Sequence, residues 1–427
     1  MALPVLVVGA GPVGLTLACE LDRLGVEHRI VDAAADRGAV SRATDLHARS
    51  LEVWDAVGAG EAIAAAGLPI AGVPLLSGGR EVAGSASPAS TAGSRPPSAF
   101  PSATSRRSWP RACRGRSSAG GRPRWPGRRT SPSWPGVGGE RMRASFVVAC
   151  DGVHSRLREA AGIPFEGGDY PGRWAVMDAE VDGWPYGPAE IPVFLDGDGF
   201  WAMPLPGGRL RLFFRDDAAG EAPEVADAQA VIDRHVLGGA SIRTADNRAC
   251  FGLHHRVARR YRAGRVLLAG DAAHAMTPVN GQGMNTGVQD AANLARKLRL
   301  ALDGAPPVVL DSYEAERRPV AVAAVEGSGA VHEANLLTGE AAAARDLSLV
   351  VAFAAPARGA GGRRVRPRAG RRRPRQPDRG RRPPGRRRPN PQRPRPRRGA
   401  PRAPGRLGHE PATCCATRAC SSGSPPA

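Results

Sequence analysis

The stretch VLVVGAGPVGLTLACELDRLGVEHRIVD, residues 5–32, constrains the fold more tightly than any other part of the chain. Val5–Val8 is a short, mostly β-branched run suited to a buried parallel strand. Gly9, Gly11 and Gly14 follow as G-x-G-x-x-G. In that spacing the first glycine permits a tight bend, the second lets a pyrophosphate approach the backbone, and the third lets a helix pack closely on the strand. Val13, Leu17, Leu21 and Leu24 then fall on one helical stripe, and the free N–H groups at that helix start would face phosphate. A second strand over 28–31 ends in Asp32, eighteen residues past Gly14, where a carboxylate can accept from ribose hydroxyls. A bare G-x-G-x-x-G is weak evidence. With a strand before it, a helix after it and an acid at this distance, it predicts a dinucleotide site on a Rossmann-like α/β sheet, without separating NAD from FAD.

A second segment discriminates. In GRVLLAGDAAHAMTPVNGQGMNTGVQDAANLARKL, residues 264–298, Val266–Leu268 reads as another buried strand closing on Gly270-Asp271. After a loop, a helix begins within 281–285, with Val288, Ala292, Ala295 and Leu298 on its stripe. With the first fingerprint, RATDLHARSLEVWDAVG (42–58), VVACDGVHSRLRE (147–159) and LDSYEAERRPVA (310–321), the chain resembles the flavin-dependent aromatic hydroxylases, the group A flavoprotein monooxygenases, in their aromatic-polyketide branch. The resemblance covers most of residues 1–83 and 140–330.

That resemblance implies FAD as cofactor, with Gly9, Gly11, Gly14 and Asp32 on its dinucleotide part and Arg42 contacting it. By the same carry-over Gly270 and Asp271 meet the ribityl chain, and Pro278 lies near the flavin ring. The backbone of Gly281, Gly283, Met284 and Asn285 faces the pyrimidine edge. A helix start carries about +0.5 charge, which suits the negative charge of a reduced flavin. Asp151 and Arg158, beside Gly152 and Ser155, match a motif tied to both FAD and NAD(P)H. The family usually has Gly where this chain has Asn280, and His274 is expected to be structural.

Between the motifs, residues 172–215 alternate with period two, as in RLRLFFRD (209–216), and predict an antiparallel sheet of about four strands. In the family such a sheet roofs the flavin, which makes Trp201, Phe213 and Phe214 candidate pocket walls. The implied reaction is hydroxylation of a small phenolic, polyketide-like aromatic with NAD(P)H and O2; no metal site is expected. A flavin-dependent reductase or halogenase is the rival within the fold, although the halogenase W-x-W-x-I-P pattern is missing.

The expected organisation runs as follows: FAD-binding segments at 1–83, 140–165 and 256–340, a β-sheet substrate domain at 166–255, and two basic tracts at 84–139 and 357–427. Those tracts hold nearly all of the excess charge. The chain carries +20; ten Arg and no acid lie between Glu81 and Glu140, and 22 Arg against two acids lie beyond Ala357, leaving −10 for the rest. A basic binding protein on a degenerate flavoprotein fold is therefore the rival from another class. The tail, however, has no Phe, Tyr or Trp on which bases could stack, so no specific nucleic-acid partner is expected. Both tracts are poor in core-forming residues and are expected to be disordered.

Wrong-frame translation explains the tracts better. With 59 Arg and one Lys, the gene is expected to be rich in G and C. Runs of CGN and CCN codons are what such a gene gives when read out of frame. A tract of this kind in place of buried strands removes side chains worth ~1.5–3 kcal/mol each, so the chain as translated is expected to bind FAD poorly. Cys19, Cys150 and Cys250 read as buried thiols of a reducing compartment. A cytoplasmic protein with no membrane span is expected, because glycines and Pro12 interrupt the apolar start.

Overall fold

The computed structural model describes residues 3–33, 43–86, 98–99, 133–135, 141–217, 220 and 222–354, all within one compact unit. The β-branched N-terminal run forms the strand Leu3–Val8, paired in parallel with His28–Val31 on one side and Arg141–Ala149 on the other. Val266–Leu268 adds in parallel to Arg141–Ala149, and Arg262–Ala263 closes that edge in antiparallel. Val5, Leu6, Val7, Val147, Val148, Leu267 and Leu268 are almost fully enclosed, as a parallel sheet covered on both faces requires. The fingerprint helix Pro12–Arg23 buries Leu17 and Leu21, and the helix Gln282–Leu302 buries Val288, Leu294, Ala295 and Leu298.

A seven-stranded sheet lies beside it, in the order Ser241–Phe251, Trp174–Asp182, Arg209–Arg215, Phe200–Leu205, Val193–Phe194, Gly72–Ser77, Arg80–Ala86. The four expected strands are its centre, and period-two alternation sorts their residues onto two faces. Ala175, Met177, Leu212 and Phe214 pack with Ala228 and Ile232 from the helix Val225–His235 and with Val236 just after it. Trp174, Val176, Trp201, Met203 and Phe213 face the opposite way, with Ile70, Leu253 and Val279.

Several expectations shift. The hairpin spanning 72–86, assigned by sequence to the first FAD-binding segment, belongs to the larger sheet through Val193↔Leu75; its partner lies over a hundred residues away, so local pattern could not place it. Within the tract expected to be disordered, Arg80–Ala86 extends to residue 86, Ser98–Ala99 pairs with Asp45–Leu46, and Ser133–Pro135 pairs with Arg141–Arg143. The rest of that tract, Arg42 and the tail at 357–427 lie outside the described residues. Cys19 is disulfide-bonded, which corrects the free-thiol reading, whereas Cys150 and Cys250 are free; wide spacing in sequence carries no information on which cysteines meet in space. The final described helix, Gly339–Ala354, was not foreseen; Arg345 anchors it through the carbonyls of Ala334 and Leu195. No helix among the described residues is long and apolar enough to cross a membrane.

Candidate functional site

All the parallel strands end at the same edge, because Val8 is in register with Ala149 and Val31, and Ala149 with Leu268. The residues that follow each strand are therefore neighbours: Asp32 after one strand, Gly9 after the next, then Cys150-Asp151, then Ala269 leading into Gly270-Asp271. Backbone bonds lock this edge, with Gly9 N–H donating to Val31, Cys150 N–H to Val8 and Ala269 N–H to Ala149 at 2.7–2.9 Å. Three strand spacings separate Asp32 from Gly270-Asp271, roughly 14 Å. Ligands of open parallel sheets bind at such a carboxyl edge.

The three fingerprint glycines have distinct duties. Gly9 has φ +99°, and a Cβ there would collide with the Cys150 carbonyl. A Cβ on Gly14 would collide with the Gly9 carbonyl oxygen, so helix and strand meet backbone to backbone. Around Gly11, by contrast, a Cβ would meet nothing within 4 Å. The protein itself does not need glycine at 11; the open space in front of it does. Asp32 Oδ2 accepts the Ala10 N–H at 2.7 Å, which fixes the carboxylate against the same loop.

The second motif docks directly on the first. A Cβ on Gly270 would stand 2.8 Å from Val13 Cγ2, and one on Gly287 would stand 2.6 Å from it. Asp271 is exposed on the turn Gly270–Ala272. Pro278 precedes the turn Val279–Gly281, whose Val279 joins the Trp201 and Phe213 face of the larger sheet. Gly281, at φ +60°, stands before the helix Gln282–Leu302 and offers no side-chain cap, so the first N–H groups at Gln282, Gly283 and Met284 have no intrahelical partner. The side chain of Asn285 is fully engaged: it donates to the carbonyls of Asp45 and Gly281 and accepts from His47 N–H and Ser50 Oγ. Asn280 has φ +65°. Where the family usually has Gly, this chain places Asn, which after glycine is among the residue types that best tolerate left-handed backbone.

Asp151 is half-buried; Oδ2 accepts the Leu157 N–H while Oδ1 is enclosed without a partner. Burial raises its pKa, opposed by hydrogen bonds from Ser155 and the following backbone. Arg158 donates to the carbonyls of Val153 and Ala272 and lies over the Phe165 ring at 3.9 Å, tying this loop to the Gly270 turn. Sequence reasoning missed a third element beneath that turn. Asp290 is fully buried, bonded to His274 Nε2 at 2.8 Å and Arg317 Nε at 2.7 Å, and Gly270 N–H also points to it. Burial alone would raise the Asp290 carboxyl, but His274 and Arg317 outweigh it and hold it below its ordinary value. His274 is thus a strut, as expected. An acid on a buried helical stripe was the available signal for Asp290.

Of the pocket-wall candidates, Trp201 and Phe213 stack at 4.9 Å and 11° on the face toward Val279. Phe214 is on the other face, because neighbours in a strand point to opposite sides. A surface cleft of about 610 Å³ lined by Arg262, Pro307, Asp311, Glu314 and Arg318 lies away from all of these residues; its Arg262 is already paired with Asp311.

Residues 2–104 and 134–328 match the model of a protein family described as FAD binding domain. The chain belongs to that family. It is 30% identical to a flavin-dependent monooxygenase of Mycobacteroides abscessus, over 78% of this chain and 74% of the relative. It is 34% identical to a 12-dehydrotetracycline 5-monooxygenase/anhydrotetracycline 6-monooxygenase of Streptomyces rimosus, over 77% and 69%. Among solved structures, the flavin-dependent monooxygenase PieE in complex with FAD and substrate superposes with a TM-score of 0.67 at 25% identity, covering 83% of this chain and 72% of that one. The OxyS anhydrotetracycline hydroxylase of Streptomyces rimosus gives 0.64 at 28%, over 82% and 72%. FAD is the cofactor of this family, and the relatives of this chain include flavin-dependent aromatic and polyketide-related monooxygenases.

Proposed function

We propose that the chain is an FAD-dependent monooxygenase of the cytoplasm that hydroxylates a phenolic, polyketide-like aromatic using NAD(P)H and O2. The observation that carries this reading is the open space at Gly11, set on a carboxyl edge that also gathers Asp32, Asp151 and Gly270-Asp271. A dinucleotide laid along that edge would place pyrophosphate against the Gly9–Gly14 backbone and the helix start at Pro12. Its adenosine ribose would fall to Asp32 and its ribityl chain to Asp271. The donors after Gly281 would hold the pyrimidine edge and its negative charge. Pro278 and Val279 would separate the flavin ring from the aromatic sheet face, where Trp201 and Phe213 orient the substrate and exclude water. Arg158 and Asp290 act one step removed, holding the Asp151 loop and the Gly270 turn in place. When bound, FAD supplies the redox chemistry, taking a hydride from NAD(P)H and activating O2.

The test is to purify the full chain, measure flavin absorbance near ~450 nm, the region of bound flavin, and follow NAD(P)H oxidation with a phenolic substrate. A second chain with 84–139 restored from the alternative reading frame is measured alongside. Weak flavin retention in the first and full retention with turnover in the second is expected; absence of flavin in both overturns the reading.

A further inference from the structure

We infer that Asp45 and His47 form a proton-linked charge control on the helix start after Gly281, so that protonation of His47 strengthens the hold on a flavin whose pyrimidine edge carries negative charge. This rests on the FAD reading above and adds a regulation of that same site.

The segment that carries both side chains is stapled to the helix start. Asn285 Nδ2 donates to the Asp45 carbonyl at 3.0 Å, and the His47 N–H donates to Asn285 Oδ1 at 3.0 Å. The Asp45 carboxylate then stands against Gly281, where an added Cβ would collide with its Oδ2. The half-buried His47 ring reaches from that carboxylate to the turn before the helix. Its Nε2 lies 3.4 Å from Asp45 Oδ2 and 3.1 Å from the Asn280 carbonyl oxygen.

A carboxylate beside a helix start is itself attracted to the positive end of that helix. Here it draws on the same field that a negative pyrimidine edge would use, and two like charges at one site weaken each other unless a cation joins them. Among the described residues His47 is placed to supply that cation. Arg49, on the helix Ala48–Asp55, is already paired with Glu52. The turn Val279–Gly281 and the helix Gln282–Leu302 turn only uncharged groups toward His47, the Asn280 carbonyl and the Asn285 amide.

A carbonyl can only accept, so Nε2 carries the proton shared with Asn280 and Asp45. The ring can therefore take its second proton at Nδ1 without breaking either contact, and the change is one of charge alone. The hydrogen bond to Asp45 raises the His47 pKa above its ordinary value; burial pulls the other way, and the Asp45 charge and the Asn280 carbonyl raise it further. Below that raised value the pair is neutral and the helix start keeps its full pull on an anion. As pH rises through it, Asp45 is left uncompensated and opposes the ligand's charge. A flavin gains negative charge at that edge on reduction, so the control falls on the reduced form far more than on the oxidised one.

The test is thermal unfolding of the full chain, His47→Gln and Asp45→Asn, each with millimolar oxidised FAD and with dithionite-reduced FAD under anaerobic conditions. It is run at about pH 6 and about pH 8.5, on either side of the histidine range, and the rise in Tm gives the affinity. Comparing proteins at one pH cancels the ionisation of the ligand itself. At the lower pH reduced FAD should bind His47→Gln at least about threefold more weakly than wild type, within the reach of charges at a helix end; at the higher pH the two should match. Asp45→Asn should bind reduced FAD more tightly than wild type at both. Oxidised FAD should barely separate the three proteins. The His47 titration, read without FAD from the imidazole Cε1–H signal that His47→Gln removes, should move down in Asp45→Asn. Each protein's own Tm without FAD reports its folding, and either variant suffices for the comparison. A difference between wild type and His47→Gln that is the same at both pH values, or a His47 titration unmoved in Asp45→Asn, overturns the inference while leaving the FAD reading intact. No response to FAD in any protein at either pH overturns that reading and the inference with it.

Discussion

At the carboxyl edge of the parallel sheet the groups offered to a ligand are mostly backbone: the Gly9–Gly14 loop, the Gly270 turn and the N–H groups after Gly281. On the inner face of the antiparallel sheet, where we propose that the substrate lies, they are side chains, Trp201 and Phe213 among them. A backbone site must be left bare, so it is written as glycines at fixed spacing, and almost any added side chain either breaks the fold or fills the site. A side-chain site is written in residues that alternate along strands, and one can be exchanged without moving the frame. The first should therefore respond to substitution through folding or cofactor affinity, and the second through ligand preference.

Gly14→Ala should have the largest effect. Its Cβ would run into the Gly9 carbonyl, and neither partner is a flexible side chain, so the variant is expected to be insoluble or to lose its cooperative thermal transition. A soluble variant with an unchanged Tm would show that helix and strand do not meet as described. Asp290→Asn comes next, at about 3–5 kcal/mol in denaturant unfolding, because it leaves Arg317 buried with its ion pair broken. Since the Asp290 pKa is lowered in the fold, its contribution should be complete above the unfolded carboxyl value, ~3.9, and fade as pH falls below it toward the folded value. An acid limb of the stability profile identical in wild type and Asp290→Asn would contradict that assignment.

How much of this could be read in advance follows the same division. Gly9, Gly11, Gly14 and Asp32 were legible because strand, turn, helix and acid lie within thirty residues of one another. Asp151 and Gly270-Asp271 were legible by resemblance, and register then put them on one edge. The antiparallel face was only half legible. Alternation in RLRLFFR puts Phe213 and Phe214 on opposite faces, but the pattern alone does not say which face turns toward a ligand. The hairpin at 72–86, the Asp178–Arg211 pair and the Asp290–Arg317 pair depend on partners far along the chain, where no local period carries the information.

The smallest expected effect is at Asn280. Its φ of +65° is left-handed, so Asn280→Gly should be close to neutral or stabilising by up to ~1 kcal/mol in thermal unfolding. A clear loss would mean that the Asn280 side chain has a role beyond tolerating that backbone.

The central claim is that FAD lies along the carboxyl edge with its pyrophosphate against Gly11, and Gly11→Ala tests it most directly. An added methyl there meets no protein atom within 4 Å, so the variant without flavin should keep the wild-type Tm. FAD titrated to millimolar concentration should raise the wild-type Tm and leave the variant's nearly unmoved, a loss of at least about tenfold in affinity or ~1.4 kcal/mol. Equal shifts in both proteins, or no shift in either, would contradict the account.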